Sequence, residues 1–161
     1  MNNAVKLIIA VAAPIVIGGL SGLATARGVS TWYPTLVKPS FNPPAWVFGP
    51  VWTVLYIMMG VAAFLVWRQG IDASGVKLAL AAFVVQLALN GLWSILFFRF
   101  QQPGWALAEI FVLWIAIGVT IWLFWRVVPF AGALLLPYWA WVSFASILNA
   151  SLWWLNRSVA G

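Results

Sequence analysis

The 161-residue chain is 65% hydrophobic and 6% charged, with mean hydropathy +1.05, far from the roughly 25% charged residues of a soluble globular domain. It contains no Cys and no His, which excludes disulfides, thiolate chemistry, zinc sites, a His-ligated haem and a Ser-His-Asp triad. Lys+Arg 8 against Asp+Glu 2 gives a net charge of +6; the cations stand singly at the ends of apolar runs, which fits membrane-interface anchoring and argues against a nucleic-acid partner.

Five apolar runs, near residues 5–26, 45–67, 77–98, 104–127 and 130–155, are each long enough for a hydrocarbon core of about 30 Å, which takes roughly 20 helical residues. Backbone polar groups in lipid must pair internally, so runs this continuous predict helices, and the alternation of barrel strands is missing. The expected fold is an all-α, multi-pass integral membrane protein: a bundle of five transmembrane helices forming a single domain over residues 1–161.

In chain order, Lys6, the first run and Ala24-Thr25-Ala26 also fit a signal peptide, but the run exceeds the usual h-region of about 7–15 residues. Pro14 should kink this helix, and Gly18 with Gly22 makes a GxxxG spacing that permits close helix approach. The loop that follows is dense in Trp, Tyr and Pro, with Trp32, Tyr33, Pro34, Lys38, Pro39, Pro43 and Pro44. Its stiff backbone suits a lid over a pocket at the helix mouth better than a floppy connector. Pro43-Pro44 sets the start of the second helix. Arg68, Asp72 and Lys77 fall in an ordinary solvated turn, and Gln101-Gln102-Pro103-Gly104 turns the chain into the fourth helix. Val128-Pro129 is so short that helices four and five must be antiparallel neighbours, and Pro137 should bend the fifth. Lys6, Arg68, Lys77 and Arg126 fall on one side, and Arg27, Lys38, Arg99 and Arg157 on the other, so charge sets no orientation.

Helical spacing groups Phe48, Trp52 and Tyr56 on one face, Gln86, Asn90, Trp93 and Phe97 on another, and Tyr138, Trp141, Ala145 and Asn149 on a third. Polar side chains facing lipid are costly, so Gln86, Asn90 and Asn149 should face inward, as interhelical glue or as polar points of an aromatic cavity. Such a cavity suits a planar, hydrophobic, partly polar ligand. Lys38 either meets a ligand carboxylate or snorkels to the interface. Glu109 is an acid inside a span; it reads as a proton-relay candidate or, near a helix start with Arg99 close in sequence, as half of a structural ion pair.

Taken in order, Trp32-Tyr33-x-x-Leu36-x-Lys38-Pro39-x-x-x-Pro43-Pro44, Phe48-x-x-x-Trp52-x-x-Leu55-Tyr56, Asn90-x-x-Trp93-x-x-x-Phe97-Phe98 and Pro137-Tyr138-x-x-Trp141-x-x-x-Ala145-x-x-Leu148-Asn149 resemble the tryptophan-rich sensory protein family, also called the translocator protein or peripheral-type benzodiazepine receptor family. The resemblance implies a homodimeric five-helix bundle in the membrane, that of a bacterial cell for a bacterial member. It implies binding of porphyrins such as protoporphyrin IX and of isoquinoline or benzodiazepine-type drugs, with no obligatory cofactor and no metal. By the same resemblance the pocket residues are Tyr33, Trp46, Phe48, Trp52, Tyr56, Asn90, Trp141 and Ala145. The lid carries Trp32, Lys38, Pro39, Pro43 and Pro44. Without His, a metal-free porphyrin fits better than haem. The segment matching the family's sterol motif, Ala150 to Arg157, has no Tyr.

Three functions follow from the resemblance. The first is a tetrapyrrole receptor, sensor or carrier. The second is light- and oxygen-dependent porphyrin breakdown with Trp52 and Trp141 as the catalytic residues, a route that needs no acid-base pair. The third is porphyrin or lipid transport, which ranks last because no inverted repeat with paired broken helices is present.

Overall fold

α1 (Asn3–Arg27) starts where the Asn2 side chain accepts a 2.6 Å hydrogen bond from the Ala4 N–H, a donor that a helix start leaves free. The structure, a computed structural model, describes residues 2–157. Pro14 cannot donate to the Ala10 carbonyl. Gly60 of α2 (Ala45–Trp67) packs at that place: a Cβ there would meet the Ala10 carbonyl oxygen at 2.8 Å and collide with Val11 Cα. Close backbone approach of this kind holds helices together in lipid, where burial of apolar surface does not.

The first span does not stop near residue 26. It continues through a π-helical turn, Gly28–Trp32, and a short 3-10 turn, Tyr33–Thr35, before the backbone extends at Leu36. α3 (Val76–Ser94) follows Gly75, whose φ of +81° is a left-handed conformation suited to glycine. It too ends in a π-helical turn, Ile95–Arg99. A Cβ at Gly28 would strike the Phe98 carbonyl oxygen, so the two π-turns lie against each other. Gln101, at φ 55°, reverses the chain, and α4 (Pro103–Val127) carries Pro103 in its first turn.

Val128 alone separates α4 from α5 (Pro129–Leu134), and α6 (Leu136–Asn156) follows a break at Leu135. The break is the bend expected of Pro137, which cannot donate to the Ala133 carbonyl. α5 and α6 together form the fifth apolar span. Around the bundle the order is α1, α2, α5/α6, α4, α3 and back to α1. Among the described residues there is no strand, and five spans are long and apolar enough to cross a membrane.

The outward faces are apolar, with Leu23 79%, Ile8 66% and Phe130 65% exposed; on these spans such residues face lipid. The tryptophans sort into two groups. Trp46, Trp105 and Trp154 are exposed near span ends, as in an interfacial belt. Others fasten helices from within. Trp114 and Trp139 pack with ring centroids 4.7 Å apart; the Trp114 Nε1 donates to Ser143 Oγ at 2.8 Å and the Trp139 Nε1 to the Trp114 carbonyl at 3.1 Å. Gln86, Asn90 and Asn149 are buried inside the bundle, as the cost of an amide facing lipid requires.

Glu109 corrects one expectation. It is buried, while Arg99 is exposed, and no ion pair joins them. Glu109 lies about 9 Å along α4 from Pro103 (about 1.5 Å per residue), too deep for a side chain at the surface end of α3. Among the described residues the only ion pair is Lys77–Asp72, 2.9 Å, both exposed.

Candidate functional site

A cavity of about 850 Å³ opens toward the lid end of the bundle. That volume lies within the roughly 300–1,000 Å³ of small-molecule sites. Its walls follow from helical spacing. α2 turns Phe48, Trp52 and Tyr56 to it, one turn apart. α6 contributes Trp141, Ala145, Leu148 and Asn149, and α3 contributes Trp93 and Ser94 with Phe97 and Phe98 of its π-turn. The side formed by α1 is built from small residues: Gly18, Ser21, Gly22, Thr25 and Ala26.

The aromatic walls are mutually braced. Trp52 stacks on Tyr56 at 5.4 Å and meets Tyr138 edge-on at 6.2 Å. Phe48 meets Trp141 edge-on at 5.9 Å, and Trp93 stacks on Phe97 at 5.4 Å. Behind the wall runs a buried chain of neutral polar groups. The Tyr56 hydroxyl donates to Asn90 Oδ1 at 2.9 Å, Asn90 Nδ2 donates to the Tyr138 hydroxyl at 3.2 Å, and that hydroxyl donates to Gln86 Oε1 at 2.9 Å. Asn149 accepts from Trp93 Nε1 at 3.1 Å and donates to the Pro103 carbonyl at 2.8 Å, tying α3, α6 and α4 together.

The segment between α1 and α2 covers the cavity mouth. Tyr33, Lys38, Asn42, Pro43 and Pro44 line it. The Tyr33 hydroxyl donates to Asn42 Oδ1 at 2.9 Å, and Tyr33 packs edge-on against Phe98 at 5.6 Å. Lys38 Nζ donates to the carbonyls of Pro34 (3.3 Å) and Leu36 (3.2 Å) and sits 4.9 Å from the Tyr33 ring centroid. The lid is fastened to α6 by Asn156: its Oδ1 accepts from the Val37 N–H and its Nδ2 donates to the Val37 carbonyl, both at 2.9 Å. Phe41 meets Phe144 of α6 edge-on at 6.3 Å.

Of the residues named from the family pattern, Tyr33, Phe48, Trp52, Tyr56, Trp141 and Ala145 come together around the cavity. Trp46 does not: it is 75% exposed, because two helical residues before Phe48 is nearly the opposite face of α2. Asn90 does not line the cavity either; it is buried behind Tyr56 and positions that ring. In the lid, Trp32 packs on Phe97 at 5.6 Å, and Pro39 lies on an outer groove with Trp153 and Trp154. The small residues of α1, Asn42 and Asn156 also belong to the cavity and its lid. Their sequence signal is weak: GxxxG reads as packing, and an Asn at a helix end reads as a cap. The cavity carries no paired carboxylates, and among the described residues no cluster of acids could hold a metal.

Five apolar spans, four of which line an aromatic cavity, define a multi-pass integral membrane protein with the kind of pocket that binds small molecules. Residues 10–155 match the TspO/MBR family, and the chain belongs to it. It is 43% identical over 155 residues to the tryptophan-rich protein TspO of Archaeoglobus fulgidus, covering 96% of this chain and 99% of that protein. It is 41% identical over 125 residues to the tryptophan-rich sensory protein of Cereibacter sphaeroides, covering 78% and 77% of the two chains. The translocator protein of Homo sapiens is 41% identical over 131 residues, 81% of this chain and 78% of that one.

Proposed function

We infer that the cavity binds a flat, largely apolar tetrapyrrole of the protoporphyrin IX type, and that the protein serves as a membrane receptor, sensor or carrier for it. The observation that carries this reading is the wall: aromatic side chains from three spans and the lid around one cavity of about 850 Å³. Each favourable ring pairing adds about 0.5–1.5 kcal/mol beyond area burial. Apart from Lys38 at the lid, the rest of the lining is small or neutral, so a ligand must present an apolar body with few polar points. Flat isoquinoline or benzodiazepine-type drugs meet the same demand.

The test is a titration of the purified protein with protoporphyrin IX in the dark, read by quenching of Trp fluorescence. Saturable quenching that weakens in Trp141→Ala supports the reading. Its absence rejects a porphyrin ligand.

A second reading is light- and oxygen-dependent porphyrin breakdown. Trp52 and Trp141 both face the cavity, where each indole would contact a bound ring. Decay of the porphyrin absorption band in light, stopped by Trp52→Phe with dark binding retained, would establish it. Unchanged decay in that variant would remove Trp52 from the chemistry.

A further inference from the structure

We propose that Lys38 selects for an anionic end on the ligand: an acid-bearing flat ligand enters ring first and leaves its carboxylate at the lid, against the Lys38 ammonium. This deepens the tetrapyrrole reading and rests on it.

Among the described residues, Lys38 is the only formally charged side chain that lines the cavity. Its ammonium is held in place by the Pro34 and Leu36 carbonyls and the Tyr33 ring. These partners orient the group and do not neutralise it, and an ammonium has a further N–H to offer. Among the described residues no carboxylate does so. Asp72 is paired with Lys77, and Glu109 is buried in α4. The inner end of the cavity has the opposite character. It is closed by Trp52 and Tyr56, backed by the neutral chain through Asn90, Tyr138 and Gln86. A carboxylate driven to that end would find no cation and lose its hydration. The two ends therefore give the cavity a direction, with the charge-accepting end at the lid.

The experiment compares protoporphyrin IX with its dimethyl ester, which keeps the ring and removes the charge. Dissociation constants are read by Trp quenching in phosphatidylcholine nanodiscs for the wild type, Lys38→Met and Lys38→Arg. The free acid should bind the wild type about tenfold tighter than the ester, the scale of one charge-assisted hydrogen bond. Lys38→Met should abolish that gap by weakening the acid alone, and Lys38→Arg should keep it. Equal binding of acid and ester to the wild type overturns the inference and leaves the tetrapyrrole reading intact. Equal weakening of both ligands in Lys38→Met also overturns it, because the lysine then acts by holding the lid. Collapse of the gap in phosphatidylglycerol nanodiscs would assign Lys38 to a lipid phosphate instead. If neither porphyrin binds any variant, the tetrapyrrole reading falls, and this inference falls with it.

Discussion

Asn156→Ala should make the cavity leak its ligand faster without unfolding the bundle. Asn156 holds the lid through two reciprocal bonds to the Val37 backbone, each 2.9 Å and both exposed. Bonds of this kind contribute a net of about 0.5–1.5 kcal/mol each, and exposure places these at the low end. Loss of the pair should therefore weaken lid closure by about 1–2 kcal/mol, or roughly five- to thirtyfold in the open-to-closed ratio. The Phe41–Phe144 contact remains, so the lid loosens and is not lost. Because Asn156 is the last residue of α6, alanine there leaves the helix intact. The assay is dissociation of bound protoporphyrin IX after rapid dilution, followed by recovery of Trp fluorescence. The off-rate should rise by about five- to thirtyfold, with a smaller change in the on-rate. Asn156→Asp keeps the acceptor for the Val37 N–H and loses the donor, so it should fall between. An off-rate within about twofold of wild type, with unchanged helical circular dichroism, would refute the latch.

Gly60→Ala should destabilise more than Gly18→Ala in a thermal melt in detergent. At Gly60 the new methyl meets the α1 backbone, which cannot shift; at Gly18 it meets the Tyr56 side chain, so overpacking of about 1–3 kcal/mol is partly relieved there, at the expense of the Tyr56–Asn90 hydrogen bond and of ligand affinity. Gly22→Leu should keep the melting temperature and lower porphyrin affinity, since Gly22 lines the cavity and a Cβ there has nothing within 4 Å; unchanged affinity would place the ligand elsewhere. Trp46→Ala should leave dark quenching by porphyrin saturable with the same dissociation constant, while Trp141→Ala raises it by about tenfold, consistent with roughly 1–2 kcal/mol from a lost ring contact. Glu109→Gln should leave the melting temperature unchanged or raise it, because both carboxylate oxygens are buried with no hydrogen-bond partner among the described residues; a marked fall would show that a partner was lost.

What the sequence made legible is what lipid forbids. A carboxamide on the lipid face is so unfavourable that Gln86, Asn90 and Asn149 had one place to go, and helical spacing on α3 and α6 then turned Trp93 and Trp141 with them. Trp46 shows the limit of motif reading: proximity in sequence to Phe48 hid a half-turn of helix between them. Asn156 shows another. Its partner Val37 lies 119 residues away, and nothing local distinguishes a lid latch from a helix cap. Glu109 was read through its neighbour in sequence, Arg99, whereas depth along α4 decides its surroundings. The small residues of α1 carried no chemical signal, because their contribution to the site is the volume they leave unfilled.

That unfilled volume lies on the side of the bundle with the fewest side-chain hydrogen bonds between spans. α2, α3, α4 and α6 are cross-linked by side-chain hydrogen bonds through Tyr56, Asn90, Tyr138, Gln86, Trp93, Asn149 and Trp114. Among the described residues, the side-chain hydrogen bond that joins α1 to another span is a single 3.5 Å contact from Lys6 Nζ to the Trp67 carbonyl, at the end far from the lid. Elsewhere α1 and the π-turn that continues it are held by packing, as at Gly18 against Tyr56, at Gly60 against Ala10 and Val11, and at Gly28 against Phe98. In lipid, parting two packed helices exchanges contacts between them for contacts with acyl chains, whereas breaking a buried hydrogen bond leaves polar groups unpaired. Parting α1 from the bundle therefore breaks few side-chain hydrogen bonds, whereas moving the lid with it also breaks the Asn156–Val37 pair. The lid-ward half of α1, with Ser21, Gly22 and Thr25, is the wall of the cavity least tied to its neighbours by side-chain hydrogen bonds. The aromatic wall built by α2, α3 and α6 is braced both by ring contacts and by those hydrogen bonds.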